Sequence, residues 1–281
     1  MRFVLQDPLM NDFKSVPKKY QPKGFEILHE DLDLIVGNKA PGYLTVSALW
    51  NQDDTIHDAL NQYVRKGNPK SSKVVFVVHR LDQATTGVLV FAKSEQAMNF
   101  LKDNWQTTEK TYLAVVRGQL KQKSGLIESY LTEDEDYVVK SDNSPAGQEE
   151  GRLSRTEYEV LAQNEKFSLV KINLLTGRKN QIRVHMADIG NPVVGDGKYG
   201  LSDPRHKNLA LHSKTLTITH PHSKKRLTFE AQVPSYFQAL IDYDYGPLKK
   251  YEQFVKPKGG YRPAQKNGPR TNSRPGSKPK R

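Results

Sequence analysis

Apolar and polar positions along this chain fall into short blocks, and the blocks predict more strands than helices. In "VVHRLDQATTGVLVFAKS", residues 77–94, the runs Val74–Val78 and Val88–Ala92 are β-branched or bulky and end at polar punctuation, so each predicts a strand. "FEILHEDLDLIVGNKAPGYLTV" predicts two short strands around a turn at Glu30–Leu32, then a Pro41-Gly42 turn. Further strand-like runs lie at 111–116, 137–140, 156–161, 168–174 and 216–219. Helical spacing is confined to "DDTIHDALNQYV", capped by Thr55, and "SEQAMNFLKDNW", capped by Ser94 with Ala97, Met98, Leu101 and Trp105 on one side. Strands that rarely alternate with helices predict an α+β domain on a mainly antiparallel sheet. No internal repeat is visible.

A third helix is predicted over Arg178–Ile189, with Gly190 as its stop and Ile182, Met186 and Ile189 facing inward. Arg178, Gln181 and His185 then share a neighbouring face. Arg183 falls near the apolar seam, where a guanidinium needs an anionic partner or a path to water along its stem. Asp82 is the candidate partner. His185 has no second ligand at metal spacing and reads as a structural hydrogen-bonding group.

Composition narrows the class. The 281 residues are 36% hydrophobic, enough for a real core, and no apolar run approaches a membrane span, so a soluble protein is expected. The N-terminus has acids where a secretory signal needs an apolar stretch. The absence of cysteine excludes disulfides, thiolate catalysis and Cys-rich zinc sites, and fits a cytoplasmic location. The net charge of +12 is concentrated: residues 249–281 hold eleven of the 43 Lys and Arg but one of the 31 acids, giving the tail +10 and the rest +2. Rich in Pro, Gly, Ser and Asn, this tail is expected to be disordered and to capture polyanions. The organisation expected is an N-terminal arm over 1–24, a catalytic domain over 25–248 and the basic tail over 249–281.

The two strands around residues 79–86 place His79, Arg80 and Asp82 on a loop held by a sheet, where chemistry-bearing side chains are kept in place. "HRLDQATTGVLVFAKS", "KTYLAVVRG" at 110–118 and "GRKNQIRVHMADIGNPVVGDGKYG" up to Gly200 together resemble the pseudouridine synthases of the RluA type. The opening "ILHEDLDLIVGNKAPGYLTV" is similar to that family's first strands, so the resemblance spans roughly residues 25–235. It implies a mixed, mostly antiparallel sheet with flanking helices and a central RNA-binding cleft. It also implies an enzyme that isomerises uridine in RNA to pseudouridine. The family's catalytic aspartate falls on Asp82, its stacking tyrosine on Tyr112 and the basic partner of the aspartate on Arg183. Arg80 matches the arginine that fills the space of the flipped base, and substrate contacts are expected from His79, Leu81, Thr86, Arg178 and Gln181.

The chemistry needs such a set. Moving the sugar from N1 to C5 of uracil requires a carboxylate, either as nucleophile or as base for a sugar proton, and a guanidinium beside a carboxylate favours the charged form. The freed base must be held while it rotates, which a flat aromatic face permits. A stacked base must first be extruded, and a long planar cation suits the vacancy. An isomerisation calls for no redox cofactor, nucleotide or metal, and no Walker or dinucleotide fingerprint is present.

Thr86, Asn180 and Ala40-Pro41 depart from the family's more usual Ser, His and Pro-Ala. No room is expected for a separate N-terminal RNA-binding domain. The partner expected is rRNA or tRNA, bound by a monomer, with no membrane involvement. The alternatives are a non-catalytic RNA- or ribosome-binding protein on the same fold, and a glycosidase-like hydrolase. The latter wants two carboxylates across the bond, and no second acid is expected in the matching motifs.

Overall fold

A computed structural model describes residues 16–48 and 54–242. The tail 249–281 and the first fifteen residues of the arm lie outside the described residues. What is described of the arm is tied to the body: the Gln21 side chain donates to the Val16 carbonyl and accepts from the Ile27 amide, both at 2.8 Å.

Eleven strands form one sheet among the described residues, in the order β1-β2-β4-β10-β5-β9-β8-β6-β7, with β3 added to β4 and β11 to β10. Their ranges are β1 Phe25–Glu30, β2 Leu34–Lys39, β3 Phe76–Val77, β4 Thr86–Ala92, β5 Glu109–Arg117, β6 Ser124–Glu133, β7 Val139–Ser141, β8 Arg152–Gln163, β9 Phe167–Leu174, β10 Leu211–Thr219 and β11 Arg226–Glu230. Every described strand pair is antiparallel except β4 with β10, so the α+β class with a mixed, mainly antiparallel sheet holds. The helices are α1 Ile56–Arg65, α2 Glu95–Asp103, α3 Pro145–Glu150, α4 Gln181–Asp188 and α5 Ser235–Leu240.

Local chemistry sets the helix starts. The Thr55 and Ser94 hydroxyls accept the Asp58 and Ala97 amides, at 3.1 Å each, and so cap α1 and α2. Strands β2 and β4 are buried along their whole length. Successive residues of a strand point to opposite faces, so Ile35, Leu89 and Phe91 join Ile56 and Leu60 of α1 on one side. Leu34, Val36, Val88 and Val90 join Ala97 and Leu101 of α2 on the other. Burial of such side chains contributes about 1.5–3 kcal/mol each. The segment that follows β3 therefore leads into a strand buried along its whole length.

The structure departs from the sequence pattern at several points. The run Val74–Val78 is strand only at Phe76–Val77, and the run at 137–140 starts two residues later because Tyr137 turns at φ 59°. Strands β6 and β11 are not predicted, nor are α3 and α5. Strand β6 buries only Ser129 and Leu131 along its ten residues, so it has no apolar stripe to read, and the two helices are each a single short turn or so. Helix α4 begins at Gln181, three residues later than predicted, because Asn180 sits at φ 55°. Ile189 is also corrected: it is 37% exposed just beyond the helix, and the buried face is Ile182 with Met186.

Candidate active site

The loop between β3 and β4 is fastened from beneath. Lys39, wholly buried at the end of β2, donates to the carbonyls of Ala40, Gln83 and Thr85 at 3.1, 2.9 and 2.8 Å. Burial pushes its pKa down to about 7, with the charge of Asp82 acting against that shift. Thr45 Oγ1 donates to the Leu81 carbonyl at 3.0 Å and accepts its amide at 3.2 Å. The Gly42 amide reaches the Gln83 carbonyl at 2.8 Å. With the backbone held at residues 81, 83 and 85, the Asp82 side chain stays 31% exposed and Arg80 points outward. The Arg80 guanidinium has no ion-pair or hydrogen-bond partner among the described residues.

Strand register brings Tyr112 to the same place. Gly87 pairs with Ser213 in the parallel β4–β10 ladder, and Ser213 pairs with Tyr112 on β5. Gly87 has φ +111°, and a Cβ there would overlap the Ser213 carbonyl oxygen, so only glycine lets β4 approach β10 this closely. Tyr112 is buried, which raises its pKa to about 12; a hydrogen bond to Ser213 opposes that and the Asp82 charge adds to it. The phenol is neutral.

Arg183 comes from α4. Its Nη1 donates to Asp82 Oδ2 at 3.3 Å and to Asn180 Oδ1 at 2.9 Å. Its stronger partner is Asp196, reached by Nε at 2.7 Å and Nη2 at 2.8 Å. Asp196 is buried, and its Oδ1 also accepts the amides of Lys198 and Tyr199 at 2.9 and 3.1 Å. Burial alone would raise its pKa, but Arg183 and these amides more than offset that and hold it below the ordinary carboxylate value. The Tyr199 ring lies 5.0 Å under the guanidinium, and its hydroxyl accepts from Asn180 Nδ2 at 3.0 Å. Asn180, in the left-handed conformation that Asn tolerates, thus bridges Arg183 and Tyr199. Asp82, Arg80, Tyr112 and Arg183 line one open hollow of about 910 Å³, within the range of ligand clefts.

The expected substrate contacts divide. Arg178 is exposed at the hollow, off the helix, so it does not share a helical face with Gln181 and His185. Gln181 lines the hollow but is fully engaged: its Oε1 accepts from Thr176 and the Arg178 amide, and its Nε2 donates to the Arg155 carbonyl and Thr156 Oγ1. The Thr86 hydroxyl is buried against His212 Nδ1 at 2.8 Å, outside the hollow. Leu81 is in the core, and His79 Nε2 accepts the Val90 amide while its ring lies 4.8 Å from that of Trp105. The polar groups of Gln181 and Thr86 are thus engaged within the protein, while His79, Leu81 and Gln181 all line the hollow. His185 is a structural group, held between Ser129 and Thr156.

Two charged residues were not picked out from the sequence. Lys39 sits in a strand that reads as an apolar run, and its only signal was a lysine at a fully buried strand end. Asp196 corrects the expectation that Asp82 is the main partner of Arg183 and that the motifs hold no second acid. Both its oxygens are bound, so it is no second carboxylate across a glycosidic bond. Elsewhere, Asp31, Asp33 and His220 gather donor atoms within 4.8 Å of one another. His220 Nδ1 accepts the His222 and Ser223 amides, so its proton is on Nε2, directed at Asp31. That leaves no lone pair on His220 for a metal.

Residues 33–188 match the model of the RNA pseudouridylate synthase family, and this span contains Asp82, Tyr112 and Arg183. The chain belongs to that family. It is an RNA pseudouridine synthase, an isomerase. It is 35% identical over 216 residues to the dual-specificity RNA pseudouridine synthase RluA of Yersinia pestis, covering 73% of this chain and 98% of the relative. It is 34% identical over 229 residues to the ribosomal large subunit pseudouridine synthase D of Nitrosomonas europaea, covering 77% of this chain and 64% of that one. The fold is that of human RNA pseudouridylate synthase domain containing 1, with a TM-score of 0.62 at 24% identity over 78% of this chain and 87% of the other.

Proposed function

We propose that this synthase isomerises specific uridines in structured rRNA or tRNA, acting as a cytoplasmic monomer with Asp82 as its catalytic carboxylate. The observation that carries the reading is the Arg183–Asp82 contact of 3.3 Å in a hollow that Tyr112 and Arg80 also line. Arg183 stabilises the ionised carboxylate needed whether Asp82 attacks the nucleoside or removes a sugar proton. Tyr112 offers a flat, neutral ring to the detached uracil while it rotates. Arg80, exposed and unpaired among the described residues, enters the RNA stack as the uridine leaves it. The name of one bacterial relative, a ribosomal large subunit pseudouridine synthase, supports rRNA within the proposed substrate class.

The test is to incubate the purified protein with unmodified rRNA and tRNA transcripts and map pseudouridine. The wild type should modify discrete positions, and Asp82→Asn should bind the same RNA and modify none. Turnover by Asp82→Asn would remove the catalytic assignment.

A further inference from the structure

Beside the hollow that holds Asp82 lies a second one, of about 770 Å³, at the end of β5, β8 and β9. Trp105, Lys110, Leu174, Gly177 and Arg178 line both, so the two are continuous across a saddle. Glu157 pairs with Asn173, and Asn173 with Thr111, which sets three polar side chains in one row across adjacent strands. The row points to the sheet face opposite that of Tyr112, because neighbouring residues of a strand alternate. The wall of the second hollow is thus built of directly opposed side chains, whose Cβ atoms in such pairs stand about 5 Å apart.

The row is only partly satisfied from within. Thr111 donates its hydroxyl proton to Asn173 Oδ1 at 3.3 Å. Asn173 Nδ2 and the Glu157 carboxylate have no hydrogen-bond or ion-pair partner among the described residues. The saddle is cationic. Lys110 is half-buried, its pKa lowered by that burial, with its ammonium 5.7 Å from the Trp105 ring and no carboxylate paired to it among the described residues. The exposed Arg178 guanidinium is likewise unpaired there.

We propose that the second hollow binds an unpaired guanine close to the target uridine in the same RNA strand. Lys110 and Arg178 hold the phosphate that crosses the saddle, and Glu157 and Asn173 read the base. A carboxylate beside an amide N–H presents two acceptors and then a donor. The Watson–Crick edge of guanine presents the complement, two donors at N2 and N1 and an acceptor at O6. Adenine, cytosine and uracil each offer a single donor group on that edge. Unpaired bases read on this edge are the usual basis of sequence-specific RNA recognition, and a bidentate pair discriminates by about fivefold or more. The inference rests on the RNA substrate assigned above and adds the base that selects the site.

The full chain is incubated with a library of RNA hairpins carrying one loop uridine between randomised nucleotides, and the modified members are sequenced. Guanine should be enriched at least about fivefold at one fixed position near the modified uridine. Glu157→Ala and Asn173→Ala should each abolish that enrichment, and Lys110→Met should raise KM for all members. Wild-type modification with no base preference, or an enrichment that survives both substitutions, would overturn the subsite while leaving the enzyme's activity in place. A library with no pseudouridine at all would count against the substrate reading, and the subsite is then judged by binding. In a Trp50→Phe chain Trp105 is the sole indole, and its fluorescence reports affinity for a short oligouridine with or without one central guanosine. Tighter binding with guanosine, lost in Glu157→Ala, supports the subsite; equal affinities refute it.

Discussion

Asp196 grips Arg183 with both carboxylate oxygens, Oδ2 on Nε at 2.7 Å and Oδ1 on Nη2 at 2.8 Å, and so leaves Nη1 as the nitrogen that faces Asp82. The two acids have different tasks. One is buried and saturated and fixes the guanidinium plane; the other stays partly exposed in the hollow.

Asp196→Asn follows from this. An amide has one acceptor and turns an N–H toward the guanidinium, leaving a half-buried cation short of a partner. Loss of one partner of a buried pair costs about 3–5 kcal/mol. The variant should melt well below the wild type, and kcat should fall at least tenfold while KM changes little, measured below its melting temperature. An unchanged kcat would show that Asn180 and Tyr199 alone keep Arg183 in place.

Tyr112 separates ring from hydroxyl. The phenol is neutral and buried, so the ring face is the part available to a base. Tyr112→Phe should retain most of the activity and Tyr112→Ala should lose it by orders of magnitude. Equal losses in single-turnover assays would assign the work to the hydroxyl instead.

Lys39 predicts a pH effect. Its folded pKa, about 7, lies below the ordinary 10.5, so between these values the unfolded chain binds the extra proton. Stability therefore rises with pH across that window, because folding must release a proton that the unfolded chain still holds, and that cost shrinks as pH approaches 10.5. Lys39→Met removes this slope. It also strands three loop carbonyls, so the variant should be less stable at every pH. Denaturant melts of both proteins from pH 6 to 10 measure the difference in slope, and parallel curves would mean Lys39 does not titrate there.

Gly87→Ala should destabilise by about 3 kcal/mol, from positive φ together with overlap on the Ser213 carbonyl. Because that overlap lies in the β4–β10 ladder, residual activity at low temperature should fall as well. A melting temperature within a degree of the wild type would show that the ladder opens freely.

The tail is a prediction from sequence alone. Removing residues 249–281, which carry +10 of the net +12, should leave melting and single-turnover chemistry at saturating RNA almost unchanged. Every phosphate that the shortened chain no longer neutralises takes about 0.7–0.9 from the slope of log K against log salt, so three or four of them would flatten it by about two to three units. Identical slopes for both proteins would make the tail a solubiliser.

Legibility in the sequence followed the range of the interactions. Asp82 and Arg183 stand inside local patterns, a strand-flanked loop and a helix, and could be singled out there, whereas Tyr112 stands out only through the resemblance of "KTYLAVVRG" to the family's motif. The Arg183–Asp196 pair is held across a Gly-rich turn, thirteen residues apart, which neither helical nor strand periodicity signals. Lys39 was hidden because β2 reads as apolar and its partners are backbone carbonyls, which carry no residue identity. The early start predicted for α4 failed on one backbone angle, at Asn180. Thr86 stands in the family's motif, yet its hydroxyl is spent on His212, while Leu81 and Gln181 line the hollow with Gln181's amide already engaged within the protein. A motif position by itself does not tell a substrate contact from a support.

The single parallel pairing has a consequence for how the enzyme is made. Strand β4, at the end of the Asp82 loop, is flanked on one side by β10, whose His212 and Ser213 are synthesised about 125 residues later. Tyr112 meets the loop only through that same strand. A chain emerging from the ribosome therefore carries Asp82 and Tyr112 well before the strand that joins β4 to β5, and Arg183 only shortly before it. The ladder across β4, β10 and β5 is complete only with β10 between the other two. A chain that stops short of β10 holds Asp82, Tyr112 and Arg183 but lacks the strand through which β4 and β5 are joined.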